Sequence, residues 1–513
     1  MPGSGPRCPQ SAHSKARTVD YVVNQKAPST DARACLAALR KALPDDALLT
    51  EAEALRAYEC DALSAYRALP LAVALPHDRA QVRAVLRIAR EHAVPVVARG
   101  AGTGLSGGAL PHPQGIVLSL ARLDRILEID PRNRTARVEP GVRNLAISEA
   151  ARPYGLHYAP DPSSQIACTI GGNIAENAGG VHCLKHGLTV HNVLRIEAIT
   201  LSGETLVAGG AGLDGPGYDL AALLTGSEGL LAVVVEATVR LLPLPESARV
   251  LLAAFATVEA AADAVAAIIA EGIVPAGLEM MDNPAIRAAE DFVHAGYPVE
   301  AAAILLCELD GAVAEVEAEL ARVRAVLERH GATEVRVARD EAERQRFWKG
   351  RKAAFPAVGR ISPDYYCMDG TIPRREVGRV LARIAGLARE HGLRVVNVFH
   401  AGDGNLHPLI LYDANAPGEL ERTEALGRRI LELCVEVGGT VTGEHGVGVE
   451  KLDPMCRQFD EATLRQFHAL REAFDPERLL NPGKAVPTLA RCAEYNAMHV
   501  RAGRLPFPEL ERF

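Results

Sequence analysis

No stretch of this chain reaches the run of about 18 apolar residues that spans a bilayer. Its beginning shows no apolar segment followed by a cleavage site, so no secretory signal is read. None of the ten cysteines sits in a C-x-x-C pair, which removes zinc-ribbon and ferredoxin spacings and any expectation of an iron–sulfur cluster. Scattered thiols without a signal are expected to be reduced, and the chain to be cytoplasmic. Excess positive charge is also missing. Lys and Arg number 56 against 64 Asp and Glu, a net charge of -8, which argues against a general nucleic-acid surface. There is no Gly-Lys-Ser/Thr and no internal repeat.

What is present is an ordinary globular composition, 48% hydrophobic and 23% charged over 513 residues, too long for one core. Residues 1 to about 20 are rich in Pro, Gly, Ser and basic residues and are expected to fray. We expect a helical lead-in over residues 1–60 and an α/β domain over 66–245. A second domain is expected over 246–487 and a tail over 488–513, the two domains meeting at Pro243-Leu244-Pro245. In the first domain, strands are read at 71–75, 94–98 and 116–120, with a helix from Asp78 to Arg90. Residues 125–138 read as two strands around an Asp-Pro-Arg-Asn turn, 160–187 as loop, and 194–207 as a hairpin. In the second, Ala-rich helices at 260–271 and 313–330 alternate with strands at 302–309 and 395–399. This rhythm predicts an antiparallel sheet with helices on one face, hence an α+β protein.

Arg99-Gly-Ala-Gly-Thr-Gly-Leu-Ser-Gly-Gly108 packs five glycines into ten residues between two strands. Glycine lets the backbone approach a ligand, and successive N–H groups then converge on phosphate oxygens. Pro111 and Pro113 prevent a helix from following, so the loop is a phosphate cradle outside the usual nucleotide-binding βαβ unit. Pro160-Asp-Pro-Ser-Ser164, Thr169-Ile-Gly-Gly-Asn173, Ala175-Glu-Asn-Ala-Gly-Gly180 and Gly226-Ser-Glu-Gly229 add small residues and amides suited to a flat polar ring. Together they point to a dinucleotide cofactor.

Further on, His400-Ala-Gly-Asp-Gly-Asn-Leu-His407 is answered by Gly443-Glu444-His445-Gly446. His400 ends one strand and His407 opens another across turn residues, so the two imidazoles can meet. With Glu444 they form a divalent-metal set of Zn, Mn or Fe type that leaves positions open for substrate. His445, beside a ligand without being one, is the candidate general base. Asp403 reads as a turn former and Asn405 as a substrate contact. Arg351 is a candidate carboxylate clamp because a guanidinium binds carboxylate bidentately.

These motifs, with Asn481-Pro-Gly-Lys484, resemble the FAD-dependent oxidases of the vanillyl-alcohol-oxidase/PCMH type. Within that type the chain is most similar to the group of glycolate oxidase D subunits, D-lactate dehydrogenases and D-2-hydroxyglutarate dehydrogenases. The resemblance covers about residues 71–486. It implies a PCMH-type FAD-binding domain of two α/β subdomains and a C-terminal substrate and metal domain. It implies FAD contacts at Arg99, Gly100, Ala101, Gly102, Thr103, Gly104, Leu105, Ser106 and Gly107, on the pyrophosphate. Around the flavin and ribityl chain it implies Pro162, Ser163, Ser164, Thr169, Gly171, Gly172, Asn173, Ala175, Asn177, Gly179 and Gly180. Glu228 and Gly229 extend that set, and Asn481 and Lys484 would approach the isoalloxazine. His445, Arg351 and Asn405 become catalytic residues, and His400, His407 and Glu444 the metal ligands.

The activity so implied is oxidation of a small 2-hydroxy acid, glycolate or D-lactate, to the 2-oxo acid. Glutarate-specific members carry a Lys near the position of Cys367; its loss here points to a monocarboxylate. D-2-hydroxyglutarate oxidation is the alternative substrate reading, and a metal-dependent hydrolase using the same His/His/Glu set is the alternative class. Electrons would leave to a quinone or to partner subunits, flavin and iron–sulfur, of a glycolate oxidase complex peripheral to the inner membrane. A homodimer is compatible with the same reading.

Overall fold

The structure, a computed structural model, describes residues 32–212 and 215–496. The N-terminal stretch that was expected to fray and the tail beyond 496 lie outside the described residues. The lead-in contains the expected helix, Ala32–Ala42, and also a short strand, Leu48–Leu49, that pairs antiparallel with Ala72–Ala74.

A four-stranded sheet follows in the order Leu48–Leu49, Ala72–Ala74, Ile116–Ser119, Val96–Arg99, the last three parallel. The helix Arg79–Glu91 crosses over between them. Asp78 caps it by accepting from the Gln81 N–H, and Val82, Val85, Leu86 and Ala89 form its buried stripe. The glycine loop leaves the end of Val96–Arg99 and returns as Ile116–Ser119 with no helix between, as the prolines require.

A five-stranded antiparallel sheet comes next, Ile126–Asp130, Thr135–Val138, Val233–Arg240, Val193–Ile199, Thr205–Gly209. The segment 160–187 is not all loop. Ile170–Glu176 and Cys183–His186 are helical. Thr169 caps the first by accepting from the Gly172 N–H, and Asn177 closes it in the left-handed conformation. Capping chemistry at both ends outweighs the low helix propensity of Gly171 and Gly172.

The third sheet runs Ala332–Val337, Ser247–Phe255, Ala303–Gly311, Gly277–Asp282, Arg394–His400, then Asn405–Leu406 and Gly370–Thr371. Pro408–Tyr412 pairs with Arg394–His400 and with Asp364–Cys367. Its helices lie on both faces rather than one. Leu251, Ala253 and Phe255 pack toward Val258–Ala270, Val313–Arg329 and Val377–His391. Val250, Leu252 and Ala254 pack toward Asn283–Val293 and Glu341–Val358. Strands that read as unbroken apolar runs, without alternation, have no face to give to water.

Reduced cysteines were expected throughout, yet Cys456 and Cys492 are disulfide-bonded, with Cα atoms 5.2 Å apart. Docking of the helix Leu489–Asn496 on Leu452–Gln458 sets this pairing, which no sequence spacing announces. Cys60, Cys168, Cys183, Cys307, Cys367 and Cys434 carry free thiols. No helix among the described residues is long and apolar enough to cross a membrane.

Phe255 is fully buried at the centre of the largest core. Phe255→Ala should cost about 3–5 kcal/mol, read as a fall in the urea midpoint at unchanged slope.

Candidate active site

Strand register assembles the metal-type cluster. Glu279 and His400 are direct cross-strand partners, and His400 also faces Asn405 across the turn. Glu279 accepts from His400 Nδ1 at 2.7 Å and, through its other oxygen, from Arg351 Nε at 2.7 Å. A carboxylate only accepts, so the proton of His400 sits on Nδ1 and Nε2 is turned to the site. His407 Nδ1 faces the Met368 carbonyl at 3.2 Å, which fixes its Nε2 the same way. Glu444 Oε1 lies 3.4 Å from His400 Nε2 and 2.8 Å from His407 Nε2. One donor atom from each of these three residues falls within 4.8 Å of the others.

Glu444 and His445 sit on a loop that a single buried side chain holds. Asp369 accepts the backbone N–H groups of Gly443, Glu444 and His445 at 3.1, 3.1 and 2.9 Å. Lys451, fully buried, donates to Asp369 at 2.8 Å and to the Gly446 carbonyl at 2.8 Å. Next along the loop, the Val447 and Gly448 N–H groups donate to Glu228 at 2.7 and 2.8 Å. The result places the His445 ring flat against His407, centroids 4.9 Å apart and planes within 7°.

The charges follow from these contacts. Burial alone would raise the Asp369 carboxyl, but His445, Lys451 and His407 hold it far below the usual range. Burial is likewise outweighed at Glu444, which His400, His407 and His445 keep ionised. His407 is held low, chiefly by burial, and so keeps a lone pair. His445 is raised against burial by Asp369 and Glu444. A carboxylate and two imidazoles with oriented nitrogens fit a divalent cation with positions to spare. The buried His407 Nε2 has no well-aligned hydrogen bond of its own, as a ligand atom awaiting an ion would.

A cavity of about 390 Å³ joins this cluster to the glycine loops, within the range of ligand sites. Of the residues implied to touch FAD, 99–105, Pro162, Ser163, Ser164, Thr169, Gly171, Gly172, Asn173, Ala175, Glu228 and Gly229 line it. His407, Glu444 and His445 line it as well. A Cβ on Gly104 would meet nothing nearer than 4.0 Å, so that backbone opens directly onto the space. A dinucleotide laid along the loops fits this cradle.

Other implied contacts lie just behind it. Ser106 is buried and donates to the His445 carbonyl, and Gly107 packs under Val449. Asn177 accepts from the Val190 N–H, Gly179 packs on Glu444, and Gly180 packs on the Asp161 backbone. Asn481 donates to the Gly108 and Glu228 carbonyls, and Lys484 donates to the Gly108 and Leu110 carbonyls. Burial brings Lys484 down to about 7. These residues brace the loop from outside the cavity.

Arg351 is 2% exposed and paired with Glu279, so it orients Glu279 beside His400 rather than lining the cavity; on the same helix, its neighbour Lys352 lines the cavity wall. Asn405 is buried against Gly443 and does not line the cavity, nor does Asp403, which accepts from the Asn405 N–H as a turn former does. His182 is bonded to Asp161 at 2.8 Å, a polar packing contact. Sequence reading missed Glu279, Asp369, Lys451 and Lys352. The available signal was an acid inside the apolar run of Gly277–Asp282 and another just after the strand Asp364–Cys367.

Residues 244–485 match the family described as FAD linked oxidases, C-terminal domain, and residues 70–209 match the FAD binding domain family. The chain is 64% identical over 486 residues to glycolate oxidase subunit GlcD of Escherichia coli (strain K12), covering 95% of this chain and 97% of that one. It is 40% identical to glycolate oxidase subunit GlcD of Bacillus subtilis (strain 168), over 85% of this chain and 93% of that one. It is 36% identical to D-lactate dehydrogenase of Archaeoglobus fulgidus, over 81% and 91%. Among solved structures, p-cresol methylhydroxylase with substrate bound superposes with a TM-score of 0.75 at 18% identity, over 89% of this chain and 97% of that one. That likeness shows the PCMH-type fold.

Asp369→Asn leaves Lys451 charged and buried without its partner. It should cost roughly 3–5 kcal/mol, read as a lowered denaturant midpoint. Because the Asp369 pKa is depressed in the folded state, its stabilisation is present above the ordinary carboxylate pKa near 3.8 and fades as pH falls below it. The wild type should therefore lose more stability on acidification than the variant does.

Proposed function

The chain belongs to the FAD-linked oxidases and is an FAD-dependent oxidoreductase acting on hydroxy acids, and we propose that its substrate is a small 2-hydroxy monocarboxylate, glycolate first and D-lactate second. One observation carries this reading. The cavity lined by the glycine loops ends on His407, Glu444 and His445, so a bound cofactor and a base share one enclosed space. The names of the relatives, glycolate oxidase subunit and D-lactate dehydrogenase, point to the same substrates.

FAD, when bound, supplies the two-electron acceptor for the hydrogen at C2, and a divalent cation on His400, His407 and Glu444 supplies Lewis acidity toward the substrate oxygens. The chain's own residues do the rest. His445 takes the hydroxyl proton: its Nδ1 is buried and unpartnered, and its ring is fixed by the stack on His407. Asp369 holds the backbone of Glu444 and His445 and disperses the positive charge that arises when His445 is protonated. Glu279 fixes the tautomer and angle of His400. Lys352, on the cavity wall, receives the substrate carboxylate in place of Arg351. Phe355, also on the wall and 6.4 Å from the His407 ring, limits water beside the base.

Cys367 lies beside His407, within donor range of it and of His445, where a cation would serve a second carboxylate. That favours a monocarboxylate over D-2-hydroxyglutarate. The names of the relatives include the word subunit, and this chain lacks cluster cysteines. We therefore assign electron transfer onward to partner subunits of a glycolate oxidase complex.

Anaerobic mixing with glycolate, D-lactate, L-lactate and D-2-hydroxyglutarate, with and without a chelator, tests the reading. Glycolate should bleach the flavin, and chelation should slow it. Bleaching by D-2-hydroxyglutarate alone would overturn the substrate assignment. His445→Asn should slow flavin reduction by roughly 10²–10⁴-fold while FAD stays bound. In the wild type the rate should rise with pH as His445 loses its proton, with a limb above the ordinary histidine value near 6.5. A flat profile would show that another group accepts the proton.

A further inference from the structure

We propose that Cys367, His407 and His445 form a second metal site, for a thiophilic divalent cation of the zinc and cadmium type, and that an ion there inhibits the enzyme. The inhibitory part rests on the role of His445 given above. One donor atom from each of the three residues lies within 4.8 Å of the others, a set distinct from His400, His407 and Glu444. Among the described residues no other cysteine joins such a set. Cys367 ends the strand Asp364–Cys367 opposite Leu409, which brings it to the same end of the sheet as His407. It is 3% exposed, and its thiol reaches only the carbonyl of its neighbour Met368, at 3.4 Å.

A second observation points to a ligand. Nδ1 of His445 is buried without a hydrogen bond, His407 Nε2 has no well-aligned one, and the two rings are stacked. Binding forms a metal–sulfur bond at Cys367, and the thiol proton leaves to solvent. Thiolate donors favour zinc and cadmium, whereas manganese and magnesium prefer the carboxylate set. The two sets share His407. An ion on the cysteine side also occupies His445, which then takes no proton from substrate.

X-ray absorption on the full-length flavoprotein, stripped by a chelator and given one equivalent of zinc, tests the site. The wild type should show a sulfur scatterer at about 2.3 Å, the zinc–thiolate distance. Cys367→Ser and Cys367→Ala should each lose it and show only nitrogen and oxygen at about 2.0–2.1 Å. No sulfur scatterer in the wild type, or one that persists in a folded Cys367 variant, overturns the proposal. Cadmium added before glycolate should stop flavin bleaching in the wild type, and each Cys367 variant should lose that sensitivity relative to its own cadmium-free rate. Sensitivity that persists unchanged in the variants overturns the inhibitory role. A sulfur scatterer with no bleaching by any hydroxy acid would keep the site and reject the substrate reading. Bleaching without the scatterer would do the reverse.

Discussion

A carboxylate removed from water must be given donors, and the active end of this molecule is organised around one such group. Asp369 collects three successive backbone N–H groups from 443–445, the Thr442 hydroxyl and the Lys451 ammonium. An ion pair at this depth contributes little net stability, because desolvating both partners offsets most of their attraction. What it supplies is position. The loop carrying Glu444 and His445 has few apolar anchors of its own, and without Asp369 its amides would be buried and unpaired. The same loop continues into the Val447 and Gly448 amides that meet Glu228, which itself lines the cofactor cavity. The cavity wall, Glu444 and His445 are thus tied through a few charge-assisted hydrogen bonds.

The sheet sets the second half of the arrangement. His400 reaches Glu279 because the two are cross-strand partners, and Glu279 in turn binds Arg351. Shifting that register by one residue would turn Glu279 to the other face and leave His400 without its orienting partner. Apolar residues on both faces of the large sheet make such a slip costly, so its packing also fixes the tautomer of His400.

Much of the site was legible in the sequence, and the reasons are local. The glycine loop, the Thr169 to Gly180 stretch and the His400 to His407 turn each declare themselves by residues whose chemistry has few other uses at that density. Most of the implied cofactor contacts line one cavity. The misreadings share a different cause. Glu279 stands inside the apolar run of Gly277–Asp282 and Asp369 just after the strand Asp364–Cys367, and only the folded arrangement shows what they face. Arg351 and Lys352 are adjacent on one helix, and only the helix rotation decides which of them reaches the cavity. The apolar run Val250 to Phe255 held the information that helices cover both faces, but an unbroken run names no partner. The Cys456–Cys492 bond comes from helix docking across a separation of 36 residues.

The C-terminal segment adds a constraint of timing. Leu479 and Asn481 exchange backbone hydrogen bonds with Val96, and Asn481 and Lys484 hold the carbonyls of Gly108 and Leu110. The cofactor loop, made in the first quarter of the chain, thus receives its outer brace from residues made near the end. During synthesis from the N-terminus the first sheet can form early, but its glycine loop stays unbraced until the ribosome has passed Lys484. Cofactor capture in the finished geometry is therefore a late event, and a chain released short of that point would carry the whole cofactor motif without the means to keep it in shape.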